Sequence, residues 1–278
     1  MSEPSGLLRF LDQPEKRPAL AFPFHDPQGT MFPHLMAILP DLKAHFERAY
    51  LCPPPSTLQQ KDHIAQLQAD PFFTIFTLEA DLQIGERFAY LYLRAAEAAQ
   101  PDQPLHLCFL DRLAFALETG YRDSFLADVS CLTADDLPLI FQRSEQAWKT
   151  HPQNYRAIET FVTVVGKRLF NRDLDYAWCH MVITAGELRR IMPLVHNTDL
   201  SMVAEMAFHI QDRVHSRDVD WLAWEDPFML SRPAEELKHE REESGAESEK
   251  RLAYALRMSE TLTLLAGEHP AHAAAAES

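Results

Sequence analysis

Side chains that can do chemistry gather in a few short stretches. Residues 22–29 read FPFHDPQG, an apolar run that stops at His25 and Asp26, with Pro27 and Gly29 behind them. A His–Asp pair at such a stop can orient a ligand ribose or coordinate a metal. It can also build the turn, since Asp before Pro-x-Gly caps the backbone that follows. Asp111 ends the run PLHLCFLD (104–111) and stands beside Arg112, a pair that suits a ligand site, a surface ion pair or a helix cap. Arg87 follows Gly85 and Glu86 at the start of the helix-forming stretch 84–99. There its guanidinium and the first helical amides can meet a phosphate, or it can pair with a nearby glutamate. Asp199 and Glu205 lie near the start of a later helical stretch, where Asp199 is equally suited to be the N-cap. VDWLAWED (219–226) carries Trp221 and Trp224 ahead of Glu225 and Asp226. Its tryptophans can form a sugar-stacking platform, although alternation along a strand sends one of them to the core.

Other chemistries are excluded by spacing. The eight glycines stand at 6, 29, 85, 120, 166, 186, 245 and 267, so neither GxGxxG nor GxxxxGK[ST] can be assembled. The thirteen histidines show no HExxH or other metal-ligand spacing. No GxSxG nucleophile elbow occurs. Cys52, Cys108, Cys131 and Cys179 are far apart in sequence, and three of them sit in apolar runs. They read as buried free thiols of a reducing compartment.

The 278 residues carry a formal net charge of -15 and are 46% apolar. That balance supports a sizeable core and argues against a nucleic-acid partner, which needs a basic face. The opening segment resembles neither a secretory signal nor a transit peptide, and no stretch approaches the ~20 apolar residues of a membrane span. The expected location is cytoplasmic.

Short apolar strands (18–24, 48–53, 72–78, 104–111, 137–143, 176–185, 219–226) alternate with helical stretches (31–46, 57–68, 84–99, 122–132, 152–170, 186–195, 199–214). This alternation predicts an α/β fold, a mainly parallel mixed sheet with helices on both faces. Pro40 should kink or divide the first helix, and Ser56 should cap the second. Residues 1–230 are expected to form one domain and 231–265 a charged helical extension packed through Leu252, Leu256 and Leu262. A disordered tail is expected over 266–278. Ligands of such sheets bind at the carboxyl ends of the strands, which directs attention to His25, Pro53, Asp111 and Glu225.

FPFHDP, LCPPPS, IGERFAYLYLRAA and HLCFLDR, in that order, resemble the nucleotide-sugar half of GT-A-type glycosyltransferases over residues 18–228. The resemblance implies that Pro23, Phe24, His25 and Asp26 border the nucleotide, that Pro53 and Pro54 line the base, and that Arg87 faces the diphosphate. Asp111 would hold a divalent ion, Mg²⁺ or Mn²⁺, although the family's Asp-x-Asp is here Leu110-Asp111-Arg112, with one carboxylate. Arg112 could instead neutralise the diphosphate. Asp199 or Glu205 would act as base toward the acceptor hydroxyl, and Trp224, Glu225 and Asp226 would adjoin the sugar.

Two classes of function follow. One is a glycosyltransferase that moves sugar from a nucleotide-diphosphate donor to an acceptor. The other is a non-catalytic protein that has lost its metal motif, either a binder on the same fold or a partner-binding scaffold. A homo-oligomer through the C-terminal helix is an expected assembly.

Overall fold

The computed structural model describes residues 16–78, 80 and 82–268. Strands β1 (Ala19–Pro23), β2 (Ala49–Cys52), β3 (Phe73–Ile75), β4 (Pro104–Leu107), β5 (Leu139–Arg143), β6 (His180–Thr184) and β7 (His215–Val219) form one sheet in the order β3-β2-β1-β4-β6-β5-β7. Strand β6 runs antiparallel to its neighbours β4 and β5, and the other pairings are parallel. The fold is therefore α/β with a mostly parallel mixed sheet, as the alternation of elements predicts.

Helices connect the strands: α1 (Met31–His45), α2 (Pro55–Leu58), α3 (Lys61–Ala69), α4 (Ile84–Ala98), α5 (Leu110–Glu118), α6 (Arg122–Ser130), α7 (Glu145–Thr150), α8 (Gln153–Phe170), α9 (Ala185–Ile191), α10 (Met202–Ile210), α11 (Asp226–Met229), α12 (Ala234–Glu243) and α13 (Gly245–Glu268). Successive strand side chains point to opposite faces, and both faces are covered. Leu20, Phe22, Leu51, Phe141 and Val182 pack with α1, α5 and α6. Ala21, Tyr50, Leu105, Leu107 and Ile183 pack with α4, α9, α10 and α13. Burial on both sides is why the inner strands read as continuous apolar runs.

On the first of these faces His106 of β4 and His180 of β6 are fully buried. His106 Nε2 lies 2.9 Å from His180 Nδ1. The rings of Phe125 and Trp221 stand against the pair. Cys52, Cys108 and Cys179 are buried free thiols and Cys131 is exposed.

Several expectations need correction. Pro40 does not divide α1, which continues to His45. It lies on the exposed face, where water can serve the carbonyl that its missing N–H leaves free. Ser56 falls inside α2, whose N-cap is Pro54. The last strand is His215–Val219, and VDWLAWED instead makes a 3-10 turn (Asp220–Leu222) leading to α11. Trp221 and Leu222 are both buried there. Helix α13 packs along α8 and α10 through Ala255, Met258, Leu262 and Ala266, which leaves Leu252 and Leu256 exposed. It continues to Glu268, so the tail expected from 266 is helical at its start. Residues 269–278, like the leader 1–15, lie outside the described residues.

Candidate functional site

The strand order reverses between β1 and β4, with β2 and β3 on one side and β6, β5 and β7 on the other. The loops that leave β1 and β4 therefore part at their carboxyl ends and open a crevice. A cavity of about 460 Å³ lies there, and Pro23, His25, Arg87, Phe109, Asp111 and Leu200 are among its walls. Asp111 belongs to the first turn of α5 and not to a strand tip, because β4 ends at Leu107. Its Oδ1 accepts the Arg112 N–H at 2.8 Å, and no ion pair engages it among the described residues. Arg87 Nη2 donates to the Leu82 carbonyl at 3.4 Å. Its Nε is buried and unpartnered among the described residues.

Two of the first amides of α4, those of Gly85 and Glu86, are engaged within the protein. The N–H groups of Gly85 and Glu86 donate to the Thr198 carbonyl at 2.9 and 3.3 Å. This contact needs glycine at 85, since a Cβ there would overlap the Asp199 carbonyl oxygen and the Thr198 backbone. Gly85→Ala should push the 198–200 loop outward, with Leu200 on it, and cost about 1–3 kcal/mol. A thermal melt checks this, and an unchanged melting temperature would mean that the loop yields freely.

The other sequence-selected residues are placed as follows. Phe24 is buried in the core. Asp26 is 2% exposed; its carboxylate accepts the Phe32 N–H at 2.8 Å and its own N–H donates to Thr57 Oγ1 at 2.8 Å. It fastens the start of α1 to α2, and Gly29, at φ 73°, closes the turn. Pro53 and Pro54 are buried and stand outside the walls of the cavity. Glu205 is 3% exposed and fully engaged: it accepts the N–H groups of His196 and Asn197 at 3.0 Å and the Asn197 side-chain amide at 2.6 Å. It pins the 196–197 loop and is not among the residues that line the crevice. Asp199 accepts the Ser201 N–H at 2.8 Å and pairs with Arg257 at 2.5 Å. Against burial, which raises it, these hydrogen bonds hold its carboxyl below the usual range. Trp224 is buried against Tyr155, which removes it as a stacking platform. Asp226 opens α11 and faces Arg241 at 3.5 Å.

Arg112 and Glu225 turn to a second cavity, of about 270 Å³, which shares Phe109, Asp111 and Leu200 with the first. It lies at the same edge of the sheet. Because β6 is reversed, its amino end, at Trp178 and Cys179, meets the carboxyl end of β5 at Arg143. Arg112 and Glu225 form a buried ion pair. Burial pushes the Glu225 carboxyl up to about 7, against the nearby Arg112. Arg143 donates to Asp175 at 3.0 Å and pairs with Glu159 at 3.1 Å. Arg251, on α13, reaches Glu159 at 2.7 Å and Glu247 at 3.1 Å. None of Arg143, Glu159 or Arg251 stands out in the sequence. The available signal is Arg143 itself, a charge at the carboxyl end of the apolar strand LIFQR.

Among the described residues, no three or more His, Cys, Asp or Glu side chains are grouped to hold a metal ion. Asp111 is the carboxylate that the described residues bring to the walls of the crevice, and a Mg²⁺ or Mn²⁺ ion there would need further oxygen ligands. No described helix is long and apolar enough to cross a membrane. No protein-family model matches the chain, and no curated protein matches it in sequence.

Proposed function

We propose that the chain is a glycosyltransferase-like protein that binds a nucleotide-diphosphate sugar in the crevice at the ends of β1 and β4. The supporting observation is that Pro23, His25, Arg87 and Asp111, distant in sequence, line one cavity where the strand order reverses. A diphosphate leaving group needs its charge neutralised. Arg87 is the arginine among the described residues lining that cavity, and its buried Nε has no hydrogen-bond partner among them. Pro23 and His25 stand on the nucleoside side. Asp111 can share a divalent ion only if phosphate oxygens complete the coordination.

A thermal-shift panel of UDP-, GDP- and ADP-sugars, with and without Mn²⁺, tests this reading. One donor should raise the melting temperature, and Arg87→Ala should weaken that donor about tenfold or more, the loss of a charge-assisted hydrogen bond. Indifference to every donor would end the proposal.

Binding without transfer is the second reading. It is favoured by the engagement of Glu205 and Asp199, the carboxylates expected to act as base, in loop and cap hydrogen bonds. Release of free nucleoside diphosphate from the stabilising donor supports transfer. Stabilisation with no release under any acceptor mixture supports binding alone.

A further inference from the structure

We propose that the cavity behind Phe109 and Leu200 is a second small-molecule site, which takes a hydroxylated carboxylate about the size of a sugar acid. It is separate from the nucleotide-sugar crevice, and the two share Asp111.

Size is the first argument. At about 270 Å³ the cavity has room for a molecule the size of one monosaccharide. Shape is the second. It is roofed by α13 and floored by the buried charges at the ends of β5 and β6, with Phe109, Trp178 and Met258 among its apolar walls. Such mixed walls suit the C–H face of a hydroxylated ring.

Charge decides the ligand class. Six of the charged residues lining the cavity are already tied, as Arg112–Glu225, Arg143–Glu159 and Arg251–Glu247. Two are not engaged in an ion pair among the described residues: Asp111 on the partition and Lys250 on α13. Asp111 accepts hydrogen bonds and so selects hydroxyls. Lys250 is exposed, acts on the nearby Glu247 carboxylate without an ion pair to it among the described residues, and supplies a cation for an anionic group. A molecule with hydroxyls at one end and a carboxylate at the other satisfies both, whereas an amino sugar could turn its ammonium to Asp111 but would leave Lys250 without an anion.

Calorimetric titration of the full chain with glucuronate, gluconate, glucose and glucosamine tests the assignment. At least one of the two acids should bind about tenfold tighter than glucose or glucosamine. Lys250→Glu, at an exposed position, should remove that preference while leaving the melting temperature of the free protein unchanged. Asp111→Asn should weaken glucose and the acids alike. Failure of both acids at millimolar concentration would overturn the proposal. So would equal binding of glucosamine, or a Lys250→Glu variant that still prefers the acid. Acid binding with no response to any nucleotide sugar would leave this site standing and remove the crevice reading.

Discussion

Replacing Arg143 by methionine is expected to lower the unfolding free energy by about 3–5 kcal/mol at neutral pH. The guanidinium is buried and answers two acids, Asp175 at 3.0 Å and Glu159 at 3.1 Å. It also lies 4.6 Å from the centre of the Trp148 ring. Methionine fills much of the volume but leaves both carboxylates without this cation. Arg251 still reaches Glu159, so Asp175 bears the larger part of the loss. Burial already raises the Asp175 carboxyl against the pull of Arg143. Without that pull it should take up a proton more readily, and the deficit should shrink toward pH 5. Denaturant melts of both proteins at pH 7.5 and pH 5 measure the effect. A loss under about 1 kcal/mol at pH 7.5 would show that water, and not Arg143, compensates these acids.

The second large effect is acid sensitivity centred on His106 and His180. Burial lowers His106 from 6.5 to about 3 and His180 well below its ordinary value. Burial likewise lowers His151 to about 2, assisted by the nearby Arg143. The sign follows from proton counts. Between pH 6.5 and these lowered values the unfolded chain holds protons that the folded chain refuses. Stability is therefore complete above pH 6.5 and falls by about 1.4 kcal/mol per pH unit for each such histidine. Glu225 opposes this: with its carboxyl near 7 when folded, it favours the folded state as pH drops from about 7 to 4.5. The histidines outnumber it, so the net direction is loss. A His106→Leu, His180→Leu double variant replaces both partners of one hydrogen bond, which can be nearly neutral at pH 7.5. It should lose clearly less stability than the parent between pH 7.5 and pH 5. Parallel losses in the two proteins would place the acid sensitivity elsewhere.

The central strands were readable because the interior decides them. A strand covered on both faces favours apolar residues along its length, and ALAFP, AYLC and the centre of HMVIT comply. The same apolar signal misleads at element ends. HLCFLDRLAFALE continues from β4 into α5, and Leu110, Leu113, Ala114 and Leu117 are buried at helical spacing. An apolar run with no breaker hides the change of period, which is why Asp111 reads as a strand tip. Strand β7 is HSRDV and mostly exposed. It is a strand because it pairs with β5 at the sheet edge, a fact external to its own residues. WLAWED has strand-like composition, but its tryptophans fill the core from a turn.

The site was legible in part. His25, Arg87 and Asp111 do line one crevice. The capping alternative for Asp26 was legible, since Asp before Pro-x-Gly favours it and the carboxylate does accept the Phe32 N–H. The structural role of Glu205 was not, because its partners are the amides of the 196–197 loop and a sequence does not display which loop will fold over an acid. The inner cavity was invisible for a related reason. Besides Asp111, Arg112 and Glu225, its charges come from β5, α8 and α13, which nothing in the sequence places beside them.

Helix α13 follows every strand of the sheet in chain order, yet it supplies Arg251, Tyr254 and Met258 to the inner cavity. During translation the earlier elements emerge and can assemble first. Until α13 leaves the ribosome, Glu159 lacks one of its two arginines and the inner cavity has no ceiling. A nascent chain that has completed its β-sheet is therefore still open at this end until α13 docks.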